Sequence, residues 1–257
     1  MVRFEKIRRI VMEECKKFGV EITPFLLSNL AWLRAERKII EISKYLPKNS
    51  KVLDIGCGDG YNTLMLKTLR DDLDIVGIEP FKQSMWDVLK RNGCNFEICN
   101  ALRLKYKDNS FDAVVSFGVM EHLKKDYIIL YKKREFKNEE LRFMQEIHRV
   151  LKSGGINIIS NLPNKYSLSE LIADIKGISK HPRRYTKKQI QSLLNVTGFK
   201  KIKIKTEFFI PSQVSQISRN LLIFFNKHHK ALYTTDKIIN HTPLNLFSQS
   251  YFVVCKK

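Results

Sequence analysis

Apolar and polar positions divide the chain into a helical opening and a long run of alternating strand and helix patterns. One helical pattern opens the chain. A second covers residues 26–45 and stops before Pro47, because proline cannot continue a helix. We therefore predict an N-terminal helical extension over residues 1–47. The pattern that opens this extension recurs every three or four residues, as in an amphipathic helix, at Phe4, Ile7, Ile10 and Val11.

From residue 48 onward, short β-rich segments alternate with helical ones. This alternation predicts one α/β domain over residues 48–257, with a doubly wound, seven-stranded, mostly parallel sheet and helices on both faces. About 40 residues separate the last two strands, too many for a hairpin loop, so we predict a cap insertion over residues 211–246. The predicted strands are 51–56, 74–80, 95–100, 111–118, 155–162, 200–210 and 250–257.

Positive charge is concentrated in the second half of the chain. The formal net charge is +20, but residues 1–121 hold 20 Lys and Arg against 17 Asp and Glu, so that residues 122–257 carry +17. Such a field favours an acidic or phosphorylated partner, an anionic membrane surface or RNA. It equally fits a solvated, lysine-rich surface. Residues 123–140 form a basic insertion that includes an aromatic and basic run at 127–134.

The composition indicates a folded protein in a reducing compartment. Hydrophobic residues make up 44% of the chain and charged residues 28%, as in ordinary globular proteins. The five cysteines form no CxxC pair and no metal-ligand spacing, so we expect a cytoplasmic protein without a metal site. We also expect no signal peptide, because charge interrupts the first nine residues, and no membrane span, because the apolar run 221–225 is too short.

The strongest functional signal is an apolar strand that runs into a glycine-rich turn. Glycines permit a tight turn and let a ligand lie against bare backbone. A dinucleotide-binding turn would have its third glycine at position 61, which is Tyr61, so the pyrophosphate fingerprint is absent. The stretch is Val52-Leu53-Asp54-Ile55-Gly56-Cys57-Gly58-Asp59-Gly60.

A second strand, 75–79, ends in the carboxylate of Glu79 about 20 residues after the glycine turn. A carboxylate at this place can accept hydrogen bonds from both hydroxyls of a ribose. An acid at a strand end also serves as a helix cap or a solvated charge, so neither segment identifies a ligand alone. In this order and at this distance, the two segments favour a nucleoside ligand.

Further short motifs follow in a fixed order. They are Asn100-Ala101, Phe111-Asp112-Ala113-Val114-Val115-Ser116, Met120-Glu121-His122-Leu123, Arg149-Val150-Leu151-Lys152-Ser153-Gly154-Gly155, Tyr185-Thr186 and Gly198-Phe199. With the glycine turn and Glu79, they resemble class I S-adenosylmethionine-dependent methyltransferases of the ubiquinone-biosynthesis type (methyltransferase types 11 and 12). The resemblance covers roughly residues 50–205. It implies a Rossmann-like methyltransferase fold with S-adenosyl-L-methionine as the cofactor.

The resemblance implies a role for each matching residue of the turn. Asp54 and the three glycines would hold the methionine part and the ribose of the cofactor. Glu79 would bind the ribose hydroxyls, and Pro80 would lie next to it. Cys57, inside the turn, fits a small filler better than a nucleophile.

Four more residues are implied to contact the cofactor. Asn100 and Ala101 would lie near the adenine, where an aspartate is more usual than Asn100. An amide can still present its carbonyl oxygen to the exocyclic amine. Ser116 and Phe117, at the end of the fourth strand, would line the path to the methyl group.

Methyl transfer depends more on the positioning of the acceptor than on acid–base catalysis. Methyl transfer from a sulfonium is an in-line displacement with a good leaving group, so holding the acceptor lone pair against the methyl carbon supplies much of the acceleration. A hydroxyl acceptor also needs a base, and His122, just beyond the fourth strand, is the candidate catalytic residue. His122 equally fits local packing. Glu121 fits either a ligand contact or a charge at a helix start.

The acceptor site is less clearly marked in the sequence. Asn161 follows the fifth strand, and the segment that ends in Arg183, Arg184 and Tyr185 is predicted to close over the acceptor. Guanidinium groups match carboxylates and phosphates, although both arginines also fit a solvated turn. The cap has a basic flank that could lie on an anionic bilayer, pack as a lid or form a dimer contact. Its apolar positions are Val214, Ile217, Leu221, Leu222, Phe224 and Phe225.

Three functions remain open from the sequence. The first is methylation, preferably at oxygen, of a small-molecule or lipid-linked acceptor that could be anionic. The second is an RNA, in particular tRNA, methyltransferase that uses the basic half, although no RNA-binding module is recognisable. The third is a protein that binds the cofactor without turnover.

Overall fold

The computed structural model describes residues 2–22, 24–123, 136–175, 181, 183–210 and 219–257. Most of the predicted basic insertion 123–140, including the run 127–134, therefore lies outside the described residues. The same holds for the start of the predicted cap, residues 211–218, with Val214 and Ile217.

The described part of the chain folds around one seven-stranded sheet. The strand order is β3-β2-β1-β4-β5-β7-β6; β1 to β5 are parallel, whereas β7 is antiparallel to both β5 and β6. The predicted fold class is confirmed. In chain order the elements are α1 (Val2–Phe18), α2 (Pro24–Leu27), α3 (Asn29–Ser43), β1 (Lys51–Ile55), α4 (Tyr61–Leu69), β2 (Asp74–Glu79), α5 (Trp86–Lys90), β3 (Asn95–Ile98), β4 (Phe111–Phe117), a 3₁₀ helix (Met120–His122), α6 (Phe136–Val150), β5 (Leu151–Pro163), α7 (Leu168–Ile175), α8 (Lys187–Val196), β6 (Lys200–Glu207), α9 (Arg219–Ile239), a second 3₁₀ helix (Pro243–Phe247) and β7 (Ser250–Lys256).

The sheet separates two hydrophobic cores. Successive side chains of a strand point to opposite faces, so β1 contributes to both. Val52 packs into the core that also contains Ile39 of α3, whereas Leu53 packs into the core that contains Phe143 of α6. The N-terminal helices thus share a core with the sheet, while the domain boundary at residue 47 stays a prediction.

Several predicted boundaries differ from the structure; β5 begins at Leu151 and not at residue 155, and β3 ends at Ile98 and not at residue 100. Two further differences have a local reason. The helical pattern over 26–45 is broken at Ser28, whose hydroxyl caps α3 by accepting from the backbone N–H of Ala31 at 3.3 Å. The predicted strand 200–210 ends at Glu207, because Phe208 adopts a left-handed φ of 53°.

The described part of the predicted cap consists mainly of α9, which packs against α3. A guanidinium–carboxylate pair joins Arg34 to Asp236, with Nε and Oδ2 3.0 Å apart, and the backbone N–H of Asn29 donates to the side chain of Asn226 at 2.7 Å. These contacts hold α9, near the end of the chain, against α3, near its beginning. None of the described helices combines the length and hydrophobicity that a membrane span requires.

Candidate active site

The three glycines of the turn after β1 have different surroundings. All three have positive φ, at 70° for Gly56, 52° for Gly58 and 89° for Gly60. A Cβ at Gly56 would lie 2.4 Å from a methyl group of Val119, and one at Gly60 would lie 2.5 Å from the ring of Phe96. A Cβ at Gly58 would meet nothing within 4 Å. Gly56 and Gly60 are therefore required by packing, whereas Gly58 presents bare backbone to open space.

Asp54, on β1 beneath this turn, has a buried oxygen that a ligand could satisfy. Its side chain is almost fully buried, and its Oδ2 accepts from Thr63 Oγ1 at 2.6 Å. Its Oδ1 has no hydrogen-bond partner among the described residues. Burial is the main reason that the pKa of this carboxyl rises to about 7. A buried acceptor of this kind is costly unless a donor reaches it.

Glu79 connects the end of β2 to the glycine turn. Its Oε2 accepts from the backbone N–H of Gly58 at 3.0 Å. It lines a cavity of about 340 Å³, which also has Gly56, Pro80, Asn100 and Ala101 in its walls. We call this the cofactor cavity. It brings together these five of the residues that the sequence predicted to hold a cofactor.

Asn100, which lines the cofactor cavity, already has a partner within the protein. It forms a turn in which its Oδ1 accepts from the N–H of Leu102 at 2.8 Å, although a carbonyl oxygen has a second lone pair for a ligand. Six other predicted cofactor residues do not line this cavity: Asp54, Cys57, Gly58, Gly60, Ser116 and Phe117. Cys57 is buried, and burial raises the pKa of its thiol far above the usual range, which fits a filler. Ser116 is buried and lines neither cavity described in this section.

A second cavity, of about 330 Å³, adjoins the first at the end of β4. We call it the acceptor cavity. Gly118 and His122 line both cavities, so the two meet in the segment that follows β4. Phe117, Glu121 and Asn161, which the sequence predicted as site residues, also line the acceptor cavity.

The 3₁₀ helix after β4 places a carboxyl group and an imidazole at this junction. The Glu121 side chain is 2% exposed, and burial raises its pKa to about 7. Its Oε2 has no hydrogen-bond partner in the part of the chain that the structure describes. His122 is 38% exposed, and its Nε2 lies 3.9 Å from Glu121 Oε1, too far for a direct hydrogen bond.

A second histidine reaches the same cavity from the segment after α7. The ring of His181 lies 6.2 Å from the ring of His122, measured between centroids. Its Nδ1 is 2.5 Å from Glu170 Oε1, and Glu170 is bound on its other oxygen by Arg184 at 2.9 Å. Sequence reasoning predicted that the stretch containing Glu170 and His181 closes over the acceptor, but it singled out neither residue, because residues 48 and 59 positions after His122 share no local pattern with it.

The opposite wall of the acceptor cavity comes from α3. Lys38 is buried, donates to Asn161 Oδ1 and lies 3.1 Å from Glu207 Oε2. Burial lowers the pKa of both Lys38 and Arg34, and each is paired with a carboxylate. Sequence reasoning also missed these two cations. The available signal was their spacing of four residues, which places both on the helix face that also holds Ala31 and Ala35.

The structure does not bring the predicted anion grip into the acceptor cavity. Arg183 binds Glu140 at 2.8 Å, and Tyr185 donates to the same carboxylate at 2.9 Å. Arg184 binds Asp174 at 2.5 Å as well as Glu170. Both guanidinium groups thus have carboxylate partners within the protein, and none of the three residues lines the cavity. A substrate role for them stays a prediction.

Comparison with known proteins identifies the domain. Residues 53–159 match the family described as Methyltransferase domain (type 11). The chain carries a class I S-adenosylmethionine-dependent methyltransferase domain. It is accordingly an enzyme, and its cofactor is S-adenosylmethionine, as the sequence predicted. The residues fit this group: Gly58 leaves room beside the backbone, Asp54 offers an unpartnered oxygen, and Glu79 offers a carboxylate.

Relatives of this methyltransferase share less than the whole chain. An uncharacterized protein of Methanocaldococcus jannaschii is 27% identical over 220 residues, which cover 85% of this chain and 76% of that protein. A tRNA (carboxymethyluridine(34)-5-O)-methyltransferase of Xenopus tropicalis is 31% identical over 124 residues, which cover 48% of this chain but only 17% of that protein. The similarity to such longer relatives is thus confined to one part of each.

A solved structure shares the fold over almost the full length. It is a SAM-dependent methyltransferase of Thermotoga maritima, described as a possible histamine N-methyltransferase, with a TM-score of 0.56 and 18% identity. The match covers 97% of this chain and 96% of that one. At this identity the likeness shows the fold and says nothing about the acceptor.

Proposed function

We propose that this methyltransferase transfers the methyl group to an oxygen atom of a small-molecule or lipid-linked acceptor whose reacting end enters the acceptor cavity. The observation that carries the proposal is the meeting of the two cavities at Gly118 and His122. A volume of about 330 Å³ suits a small molecule or the end of a larger one. A lipid-linked acceptor would bring the protein to the cytoplasmic face of a membrane.

The residues of the acceptor cavity supply binding and orientation. When bound, the cofactor supplies an electrophilic methyl carbon on a sulfonium, so no strong acid is needed. Asn161, His181 and the cations of α3 offer polar contacts that fix the acceptor, and a fixed lone pair is the main source of acceleration. Glu121 and His122 can accept a proton at the junction, which is the chemistry that an oxygen acceptor requires.

A second candidate is a tRNA methyltransferase. It is favoured by the relative from Xenopus tropicalis, whose name specifies a modified uridine of tRNA, and by the +17 charge of residues 122–257. An extruded nucleotide would then enter the acceptor cavity while the basic surface holds the backbone. The similarity to that relative covers 48% of this chain, so it does not extend to every wall of the cavity.

Transfer of tritiated methyl groups tests both proposals. The protein is incubated with labelled cofactor and separately with small-molecule, lipid and total RNA fractions of a cell extract. We expect label in a compound of the first or second fraction, as an alkali-stable ether or an alkali-labile ester. Label in tRNA alone would establish the second candidate. The Gly58→Val protein, which should not bind the cofactor, is the blank for each fraction.

A further inference from the structure

Glu121 is a buried carboxyl beside the junction of the two cavities. Its side chain is 2% exposed, yet it lines the acceptor cavity next to Gly118, which lines both. A side chain at position 118 would crowd this carboxyl, because a Cβ there would lie 3.1 Å from Glu121 Oε1. Gly118 also has a φ of 63°, which favours glycine. The turn after β4 thus gives this carboxyl room at the junction.

One oxygen of this carboxyl is left for a ligand. Oε2 has no hydrogen-bond partner among the described residues, although it is buried. Leaving a buried acceptor unsatisfied costs stability, so its retention needs a reason. A hydroxyl group in the acceptor cavity would supply the missing donor.

The charged groups that face Glu121 do not neutralise it. From its own helix His122 approaches to 3.9 Å, and His181, from the segment after α7, acts on it from across the cavity. Tyr185 lies within electrostatic range, but its hydroxyl donates to Glu140. The cations of α3 in the same cavity, Arg34 and Lys38, are paired with Asp236 and Glu207. No described arginine or lysine forms an ion pair with Glu121.

We propose that Glu121, rather than His122, is the catalytic base that accepts the acceptor's hydroxyl proton. This inference rests on the proposed transfer to oxygen. The acceptor oxygen forms a bond to the methyl carbon as the carbon–sulfur bond breaks, and the sulfur keeps that electron pair and becomes a neutral thioether. The hydroxyl proton moves to Oε2 of Glu121. Charge is balanced, because one cation and one carboxylate are consumed together.

Because of its environment, Glu121 is a better base than an ordinary carboxylate. Burial raises its pKa to about 7, so that its conjugate acid is weak enough to hold a proton near neutral pH. His122 is 38% exposed and lines both cavities, so it can place the acceptor without taking the proton. Removal of the base should abolish the rise of kcat/KM with pH, whereas removal of a residue that only places the acceptor should not. This difference can be measured.

The test compares two variants whose new carboxamide cannot act as a base, Glu121→Gln and His122→Asn, with the wild-type protein. The acceptor used is the fraction that takes up label in the extract assay. For the wild type we expect kcat/KM to rise with pH through about 7, where the base loses its proton. Glu121→Gln should lower kcat by roughly 10²- to 10⁴-fold and remove this rise. His122→Asn should keep the rise, and its loss should fall mainly on KM.

A readout without acceptor accompanies the kinetics. Carbon-13 at the glutamate carboxyls should show one group that titrates near pH 7 in the complex with S-adenosylhomocysteine and that disappears in Glu121→Gln. Glu97→Gln, on the edge strand β3 and outside both cavities, is the matched control and should change neither the kinetics nor this signal. Calorimetry with S-adenosylhomocysteine checks that the variants remain folded and bind.

The outcomes separate this inference from the proposed function. If the wild type labels no small-molecule or lipid compound, the proposed function is wrong and the inference falls with it. If the wild type is active and Glu121→Gln keeps its turnover and its pH profile, the inference alone is overturned. Loss of the pH dependence in His122→Asn, with Glu121→Gln unaffected, would assign the proton to His122.

Discussion

The cofactor cavity and the acceptor cavity are built from the chain in different ways. The cofactor cavity is lined by residues between Ile55 and Leu123, all contributed by the ends of neighbouring parallel strands and the turns that follow them. The acceptor cavity combines α3 with the ends of β5 and β6 and with the segment before β7, from Ala31 to Ser250. Only the short segment after β4 belongs to both.

Under the proposed function, this difference separates the part of the chain that binds the cofactor from the part that selects the acceptor. Parallel strands all end at the same edge of the sheet, so local turns suffice to form a ligand site there. The acceptor side depends on buried ion pairs between distant segments, such as Arg34 with Asp236 and Lys38 with Glu207. Changes on one side should therefore leave the other largely intact, and four experiments test this separation.

The largest effect is expected from Gly58→Val on the cofactor side. The new side chain fills space that is open to a ligand, so affinity for S-adenosylhomocysteine should fall by roughly 1000-fold or more, about 4 kcal/mol. Gly93→Val is the matched control, because Gly93 also has positive φ and open space but, unlike Gly58, has no hydrogen bond to Glu79 in the wall of the cofactor cavity. Both variants place a valine at a positive φ, so both carry backbone strain. Unchanged affinity of a folded Gly58→Val protein, measured by calorimetry, would refute the site.

On the acceptor side, Lys38→Met should destabilise the fold while the folded protein still binds the cofactor. It leaves the buried Glu207 without its cation, which costs about 3–5 kcal/mol. Urea unfolding measures the loss, and Lys48→Met, an exposed position, should change stability by less than about 0.5 kcal/mol. If Lys38→Met weakens cofactor binding as strongly as it weakens the fold, the two cavities are not independent.

At the junction, Glu121→Gln should change how stability depends on pH. Burial raises the folded pKa of Glu121 from 4.5 to about 7, so its contribution to stability is complete below pH 4.5 and is lost as the pH rises through 7. Relative to the wild type, Glu121→Gln should therefore gain about 3 kcal/mol between pH 4.5 and pH 8. Urea unfolding at several pH values measures this gain. A constant difference between the two proteins would contradict a raised pKa.

The smallest of the four effects is expected from Glu79→Ala. It removes a charged acceptor from the Gly58 N–H and, if the predicted role is right, from the ribose hydroxyls, so affinity for S-adenosylhomocysteine should fall by roughly 30-fold, about 2 kcal/mol. Glu97→Ala, on the next strand, should leave affinity unchanged. An equal loss in both variants would mean a general charge effect in place of a specific contact.

Much of the fold and of the cofactor side was determined by the sequence alone. The alternation of strand and helix patterns, the glycine turn after β1 and the acid at the end of β2 are local features, since each depends on residues that are close in the chain. The structure brought Gly56, Glu79, Pro80, Asn100 and Ala101 to one cavity, as the order of the motifs predicted. The burial of Ser116 away from both cavities was not foreseen, because strand register decides which face a residue takes.

The acceptor side was decided by tertiary structure. The pairing of Lys38 with Glu207 joins residues 169 positions apart, and His181 lines the same cavity as His122 although 59 positions separate them in the chain. Arg183 and Arg184, which appeared available for an anion, are occupied by carboxylates of α6 and α7. Such pairings form when distant segments bury charged groups together. Their energy depends on the distances between these groups, which the order of residues along the chain does not contain.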